Sequence, residues 1–196
     1  MQKTANRQGC FVAVVGPSGA GKDTVLNAAR EVLNAEPRYY FTRRFITRPN
    51  DDGNEDHISL DAETFTQLAN EGQFALHWRA HGHCYGLPLE VDQRIGAGGV
   101  VIGNISRRVL EQARERYSSF HVLVITAKPD VLAERLALRR RESRKQIEMR
   151  LAREVPIDSR LGNVVTIDNS GDIQHAKDEF IAQLKRIGNT YLAARG

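Results

Sequence analysis

Residues 16–24 read Gly16-Pro17-Ser18-Gly19-Ala20-Gly21-Lys22-Asp23-Thr24. This is the pattern G-x-x-x-x-G-K, in which backbone N–H groups line a cradle for phosphate oxygens and the lysine reaches the terminal phosphates. A short apolar run at 11–15 precedes it and predicts a buried parallel strand. After it, apolar residues recur at helical spacing at Val25, Leu26, Ala29, Val32 and Leu33. Strand, loop and helix together predict a P-loop in which residues 16–24 bind a nucleoside triphosphate.

One residue departs from the usual P-loop pattern. Asp23 follows the lysine, where Ser or Thr normally supplies a hydroxyl to Mg²⁺, and the hydroxyl comes one place later at Thr24. A carboxylate can bind the same metal directly or through water, since hard cations prefer oxygen ligands. An acidic residue is also favoured in the first turn of a helix by the helix dipole. Asp23 is therefore predicted as a metal ligand, with a purely local helical role as the alternative.

Length and composition limit the class of protein. The chain has 196 residues, which suits one α/β domain. No apolar run is long enough to span a membrane, and the polar first nine residues lack the apolar segment of a signal peptide. Cys10 and Cys84 match no metal-binding spacing, which predicts reduced thiols and a cytoplasmic location.

The net charge of +4 is unevenly spread. A basic stretch runs from Arg135 to Arg153 and includes Arg139, Arg140, Arg141, Arg144, Lys145 and Arg150. Such a stretch can bind nucleic acid or form a lid whose guanidinium groups close on polyphosphate. Because a P-loop is present and no aromatic residues interleave the charges for base stacking, we predict a lid and no nucleic-acid partner.

Strand and helix patterns alternate along the chain. Predicted strands cover 39–42, 74–80, 100–104, 121–126 and 164–169, and predicted helices cover 61–71, 88–95, 130–138 and 172–194, the basic stretch extending the third. Residues 43–56 are predicted as a basic segment and a polar loop, and 81–86 as a turn. Alternation predicts a parallel sheet covered on both faces, with the ligand at the carboxyl ends of its strands.

Several motifs resemble the guanylate kinase branch of the P-loop kinases. They are the P-loop itself, Thr47-Arg48-Pro49 followed by Gly53, the segments 72–78 and 82–86, and the basic stretch. The resemblance implies a P-loop three-layer α/β sandwich with a mostly parallel five-stranded core sheet. It also implies one domain with a core at about 10–42 and 98–194, an acceptor-binding insert at about 43–97 and a helical lid at about 135–153.

The departures from guanylate kinases fall in the acceptor site. His77 stands where those enzymes have a guanine-reading glutamate, and Gly103-Asn104 where they have an aspartate. His57 replaces a phosphate-binding tyrosine, and Asp51 lies near the place of a second arginine. Guanine needs carboxylate acceptors for its N–H donors, and each unpaired buried donor costs about 1–3 kcal/mol. GMP is therefore a poor candidate acceptor.

The same departures resemble a second family, the ribose 1,5-bisphosphate phosphokinases (PhnN type) associated with phosphonate breakdown. The motifs are Gly21–Thr24, Arg44–Pro49, Ala80–Pro88 and Asn104–Arg107. The resemblance covers roughly residues 10–190 and implies transfer of the γ-phosphate of ATP to ribose 1,5-bisphosphate, giving 5-phosphoribosyl 1-diphosphate.

With that family as a guide, residues receive expected roles. Lys22, Arg48, Arg139 and Arg150 are the predicted catalytic residues. ATP and Mg²⁺ are expected on residues 16–24. Asn169 is expected to contact the adenine, and the alternative is that this Asn simply ends its strand. The acceptor phosphosugar is expected on Arg44, Arg48, His57, His77, Tyr85 and Arg107. Each histidine has a structural role as its alternative, and Trp78 is predicted as core.

Three other functions stay open on the sequence. A nucleoside monophosphate kinase of altered specificity would share every P-loop feature. A non-catalytic interaction module is disfavoured by the intact lysine and glycines, and a nucleic-acid binder by the lid interpretation. The sequence does not distinguish a monomer from a homodimer.

Overall fold

A computed structural model describes residues 9–49, 56–138 and 161–193 of the chain. Arg139, Arg150 and most of the predicted lid lie outside these ranges, as do Asp51 and Gly53. The described helices and strands alternate as the sequence predicts for an α/β protein. The strands are β1 (Cys10–Val15), β2 (Tyr39–Phe41), β3 (Arg44–Ile46), β4 (His57–Ser59), β5 (Phe74–Ala80), β6 (His83–Pro88), β7 (Val100–Asn104), β8 (Phe120–Thr126) and β9 (Val164–Asp168). The helices are α1 (Lys22–Leu33), α2 (Ala62–Asn70), α3 (Glu90–Gly96), α4 (Leu110–Arg116), α5 (Pro129–Leu138) and α6 (Ile173–Ala193).

The core sheet has five strands in the order β2-β7-β1-β8-β9, and every pairing in it is parallel. All six residues of the central strand β1 are fully buried, as expected for a parallel strand covered on both faces. Phe11 on one side of β1 packs in a cluster with residues such as Val91 and Ala113, whereas Val12 packs with Val25 and Phe180 on the other. The predicted three-layer sandwich with a five-stranded parallel core is confirmed.

A second, four-stranded sheet, here called the small sheet, carries four of the six residues expected to bind the acceptor: Arg44, His57, His77 and Tyr85. Its order is β4-β3-β6-β5, with β3 parallel to β4 and antiparallel pairing elsewhere. One face, here called the inner face, sends Trp78 and Tyr85 into the core cluster that contains Phe11. The other, outer face is covered by α2, whose Phe65 stacks on Phe74 with ring centroids 4.7 Å apart. All four strands lie between residues 44 and 88.

The structure corrects several local predictions. The turn expected at 81–86 is confined to His81 and Gly82, because β6 already begins at His83. The strands β3 and β4 and the helical segment from Arg107 to Arg116 were not predicted. Of the apolar residues that recur at helical spacing in α1, Val25, Ala29 and Leu33 are buried, whereas Val32 is 52% exposed. Each of the helices within the described ranges is too short or too polar to cross a bilayer.

Candidate active site

The P-loop leaves the carboxyl end of β1 and enters α1 through three glycines with positive φ angles. These angles are +152° at Gly16, +86° at Gly19 and +88° at Gly21, a region that side chains rarely adopt. A Cβ atom on Gly16 would lie 2.0 Å from the carbonyl oxygen of Ile125 in β8. The loop therefore approaches the end of the sheet at a distance that only glycine permits.

Lys22 lies over this loop. Its Nζ donates hydrogen bonds to the carbonyl oxygens of Gly16, at 2.8 Å, and Pro17, at 3.0 Å. The ammonium group is thus held at the cradle by the loop itself. This position agrees with the prediction that Lys22 contacts the β- and γ-phosphates of the nucleotide.

Asn169 supports the P-loop from behind. It follows β9, its side chain is 1% exposed, and its Nδ2 donates to the carbonyl oxygen of Ala20 at 2.8 Å. Its Oδ1 has no hydrogen-bond partner among the described residues. A Cβ atom on Gly21 would come within 2.4 Å of the same Nδ2. The structure places this predicted adenine contact beneath the loop, with its donor engaged by the loop backbone, and the contact with adenine stays a prediction.

Asp23 lies in the first turn of α1, half-buried, beside the end of β7. Nδ2 of Asn104 donates to its Oδ1 at 3.4 Å. Thr24, the next residue, is exposed. No group of three or more His, Cys, Asp or Glu side chains suited to a metal occurs within the described parts of the chain. A Mg²⁺ site built wholly from protein ligands is thus not found there, whereas Mg²⁺ held mainly by phosphate oxygens needs only one or two protein ligands.

The inner face of the small sheet brings three predicted acceptor residues together. Strand register places Arg44 beside His57, and Ile46 opposite Tyr85. The Arg44 guanidinium lies over the Tyr85 ring, 5.5 Å from its centroid. Tyr85 in turn stacks on Trp78 with ring centroids 5.5 Å apart. Trp78, 8% exposed, is a core residue as predicted, and it supports the ring on which Arg44 rests.

Arg48 follows this sheet in a segment that is tightly bonded to its neighbours. The preceding residue, Thr47, accepts from the backbone N–H of Cys84 at 2.8 Å and donates its own N–H to the Cys84 carbonyl at 3.0 Å. The Arg48 carbonyl accepts from the Ser59 hydroxyl and lies 3.4 Å from Nε2 of the buried His57. This bonding fixes the backbone from which the predicted catalytic side chain projects. Of the other predicted arginines, Arg107 lies half-buried just after β7, in a short 3-10 turn.

His77 does not join these residues. In the β5–β6 register it faces Gly86, whereas Trp78 faces Tyr85, so His77 lies on the opposite, outer face and is exposed. Its ring contacts Phe74 on the side covered by α2. The prediction that His77 and Tyr85 line one acceptor site is therefore not supported by the sheet. The inward residues around it, Leu76 and Trp78, are apolar.

Gly103, one of the two residues in the place of the expected aspartate, packs tightly against the core, whereas its neighbour Asn104 bonds to Asp23. A Cβ atom on Gly103 would lie 2.9 Å from the Phe11 ring and 3.2 Å from the Thr42 methyl group. Both neighbours are buried. The space that a longer side chain would need at this position is already filled by the core.

Two ion pairs that sequence analysis missed lie at the edge of the site. Asp56 lies 2.7 Å from Nε of Arg43 and 3.4 Å from Nη1 of Arg30 in α1. Arg43 also donates to the His57 carbonyl at 3.2 Å. These contacts join α1, the helix that follows the P-loop, to the small sheet. Since Arg30 and Asp56 are 26 residues apart, no local pattern could have indicated the pair.

Comparison with known proteins agrees with this geometry. Residues 12–155 match a family model described as an AAA domain. Ribose 1,5-bisphosphate phosphokinase PhnN of Brucella melitensis is 56% identical over 92% of this chain and 94% of its own length. The proteins of the same description from Chelativorans sp. and Rhodopseudomonas palustris are 44% and 47% identical, covering 92% and 87% of this chain and 87% and 86% of their own.

Solved structures share the fold at much lower identity. A guanylate kinase from Anaplasma phagocytophilum superposes with a TM-score of 0.62 at 18% identity, covering 95% of this chain and 86% of that one. A gluconokinase from Sinorhizobium meliloti gives 0.54, also at 18% identity, covering 96% and 98%. Both are kinases by description, and at this identity they establish the fold alone.

Proposed function

Because the chain belongs to the family of ribose 1,5-bisphosphate phosphokinases, we propose that it transfers the γ-phosphate of ATP to ribose 1,5-bisphosphate. An oxygen of the acceptor's 1-phosphate forms a bond to the γ-phosphorus, and the bond from that phosphorus to the β–γ bridging oxygen breaks. The products are 5-phosphoribosyl 1-diphosphate and ADP. The attacking oxygen is already ionised at neutral pH, so no strong general base is required.

Such a reaction depends on positioning and on neutralising charge. On the donor side, the P-loop backbone and Lys22 bind the phosphates of ATP. On the acceptor side, Arg44 and Arg48 bind the sugar phosphates, with Arg107 nearby. Arg139 and Arg150 are proposed to complete the site from outside the described residues. One guanidinium group can bind two phosphate oxygens at once, which suits these arginines to the proposed roles.

Mg²⁺ is proposed as the metal, with the Asp23 carboxylate and the Thr24 hydroxyl as its candidate protein ligands. Bound with ATP, it would neutralise phosphate charge. The rest of the proposal does not depend on which oxygen binds it. We also propose that the region 43–97 acts as the acceptor-binding insert and that the basic stretch closes as a lid.

One observation carries the choice of acceptor. The four strands of the small sheet read Arg-Phe-Ile, His-Ile-Ser, Phe-Ala-Leu-His-Trp-Arg-Ala and His-Cys-Tyr-Gly-Leu-Pro, so the sheet contains no Asp or Glu. A site that reads guanine needs carboxylates opposite the base. A site for a phosphorylated sugar needs arginines, and this sheet presents Arg44 on its inner face.

An acceptor screen followed by phosphorus NMR tests the proposal. The purified protein with ATP and Mg²⁺ should convert ribose 1,5-bisphosphate to the 1-diphosphate with stoichiometric ADP. Ribose 5-phosphate, AMP and GMP should react at least ~100-fold more slowly, because each lacks either the 1-phosphate or a base-reading partner. Lys22→Met, which removes the ammonium group, is the negative control.

Two outcomes would contradict the proposal. Efficient turnover of GMP without turnover of the bisphosphate would identify a nucleoside monophosphate kinase of altered specificity. Absence of ATP binding in calorimetry, with the fold intact by circular dichroism, would identify an interaction module instead.

A further inference from the structure

A cavity lies between α1, the end of β7 and the edge of the small sheet, beside the P-loop. Its polar lining consists of two arginines, two carboxylates, two amides and one hydroxyl: Arg30, Arg44, Asp23, Asp56, Asn27, Asn104 and Thr42. Phe41 and Ile102 are among its apolar lining residues. The mixture is suited to a ligand with both anionic groups and neutral hydroxyls.

The two carboxylates of this cavity are not equivalent. Asp56 contacts two guanidinium groups, those of Arg43 and Arg30. Among the described residues, Asp23 contacts no cation by a salt bridge, and its hydrogen bond comes from the neutral amide of Asn104. Arg30 of the cavity and the neighbouring Arg43 therefore compensate Asp56, whereas the Asp23 carboxylate, which also lines the cavity, is bonded to a neutral amide.

A negative charge in this place limits what can bind next to it. Phosphate groups are repelled by the Asp23 carboxylate and are expected at the arginines. The part of a ribose 1,5-bisphosphate that carries no charge is its middle, with neighbouring hydroxyls at carbons 2 and 3. A carboxylate accepts hydrogen bonds at both oxygens, and the amide of Asn104 offers one donor group and one acceptor.

We propose that Asp23 and Asn104 together recognise the 2- and 3-hydroxyls of the sugar, and so determine specificity for a ribose. This inference rests on the proposed function. It assigns the departure from the usual P-loop residue to the acceptor rather than to the metal. Mg²⁺ is then left to the phosphates and to Thr24.

The placement of the pair supports this assignment. Asn104 is held by the pairing of Val14 with β7, and its neighbour Ile105 donates to the Val14 carbonyl at 3.1 Å. Asp23 is held in the first turn of α1, directly after Lys22. The two side chains are thus fixed by the same elements that fix the phosphate cradle, and the pair keeps a constant position relative to the transferred phosphate.

The test compares two acceptors that differ by one hydroxyl, ribose 1,5-bisphosphate and 2-deoxyribose 1,5-bisphosphate. For the wild type, kcat/KM should favour the ribose compound by roughly 10–100-fold, the discrimination expected from a hydrogen bond to a charged group. Asp23→Ser and Asn104→Ala should each reduce that preference at least ~5-fold, and the double variant should lower it little further, because both residues act on the same hydroxyls. Glu31→Ser, an exposed carboxylate on the same helix, is the matched control and should keep the full preference.

Two other outcomes would overturn the inference, and a third would overturn the proposed function. If Asp23→Ser keeps the wild-type preference while its Mg²⁺ requirement rises, Asp23 is a metal ligand and the inference is wrong, although the proposed function stands. A wild type that does not discriminate between the two sugars also overturns it. If no sugar bisphosphate reacts with the wild type, the proposed function itself fails. For a variant too slow to assay, calorimetric affinities of the two bisphosphates give the same ratio.

Discussion

Replacing Asn169 by Asp tests whether this buried amide supports the P-loop. In the native protein Nδ2 donates to the Ala20 carbonyl at 2.8 Å, and both residues are buried. An ionised carboxylate cannot donate, so the variant would set two acceptor oxygens against each other. A buried carbonyl left unpaired costs about 1–3 kcal/mol, and each unit by which the pKa of the new carboxyl rises costs about 1.4 kcal/mol at neutral pH.

The cost should depend on pH in a defined direction. In the Asn169→Asp variant the protonated carboxyl can donate to the Ala20 carbonyl, whereas the ionised carboxylate cannot. Folding therefore raises the pKa of that carboxyl above its unfolded value of about 3.9. The variant is closest to the wild type below about pH 4, and it loses stability as the pH rises through the folded-state pKa. At pH 7 we expect a loss of roughly 2–5 kcal/mol, or about 5–15 °C in Tm for a chain of this size.

Thermal and urea unfolding at pH 4 to 8 measure this, alongside the KM for ATP. The KM should rise at least ~10-fold at pH 7, since displacement of the Ala20 carbonyl would distort the loop that is proposed to bind the phosphates. Asn189→Asp, at an exposed position of α6, is the control and should stay within about 0.5 kcal/mol of the wild type. Unfolding curves for Asn169→Asp that parallel the wild type at every pH, with only the KM for ATP raised, would refute the supporting role and favour an adenine contact.

Three further predictions concern the P-loop, the two cysteines and the small sheet. Gly16→Ala should weaken ATP binding about 5–150-fold by calorimetry, since the new methyl group would lie 2.0 Å from the Ile125 carbonyl oxygen and strain of this kind costs about 1–3 kcal/mol. At pH 8 a thiol reagent should modify the half-exposed Cys84 and not Cys10, because burial raises the pKa of Cys10 to about 12. That neutral thiol also contributes stability below about pH 9 that is lost as the pH rises toward 12, and Cys10→Ala should flatten this part of the unfolding profile. Arg44→Lys should raise the KM for ribose 1,5-bisphosphate about tenfold and leave that for ATP within about twofold, because lysine cannot bind phosphate in the same bidentate way.

The core sheet was predictable from the sequence because its strands are continuous apolar runs. Residues 11–15 and most of 121–126 are buried, so hydrophobicity alone locates them. The glycines of the P-loop were equally predictable, since a phosphate cradle imposes positive φ angles at fixed spacings. In these elements the local sequence preferences and the tertiary environment favour the same structure.

The small sheet was only partly predictable, since two of its strands have three residues each. Segments of that length carry too little periodicity to identify β3 and β4. The length of the hairpin turn could not be predicted because His81 adopts φ +51°. Gly or Asn at that position would have indicated the turn. A bulge between Phe74 and Leu76 also shifts the register of β5. No pattern in the sequence could then show that His77 faces away from Tyr85.

The core packs closely against Gly103, one of the two residues in the place of the aspartate expected in guanylate kinases. Phe11, which fills the space beside Gly103, is fully buried and packs against Tyr117 and Phe120 with ring centroids 5.0 and 6.2 Å away. A carboxylate at position 103 would have to displace this ring from a close-packed cluster, where shifts of that kind cost about 1–3 kcal/mol or more. A carboxylate therefore cannot be introduced at position 103 without repacking the core. The buried apolar residues behind the end of β7 thus restrict position 103 to glycine, in agreement with the proposed preference for an acceptor without a base.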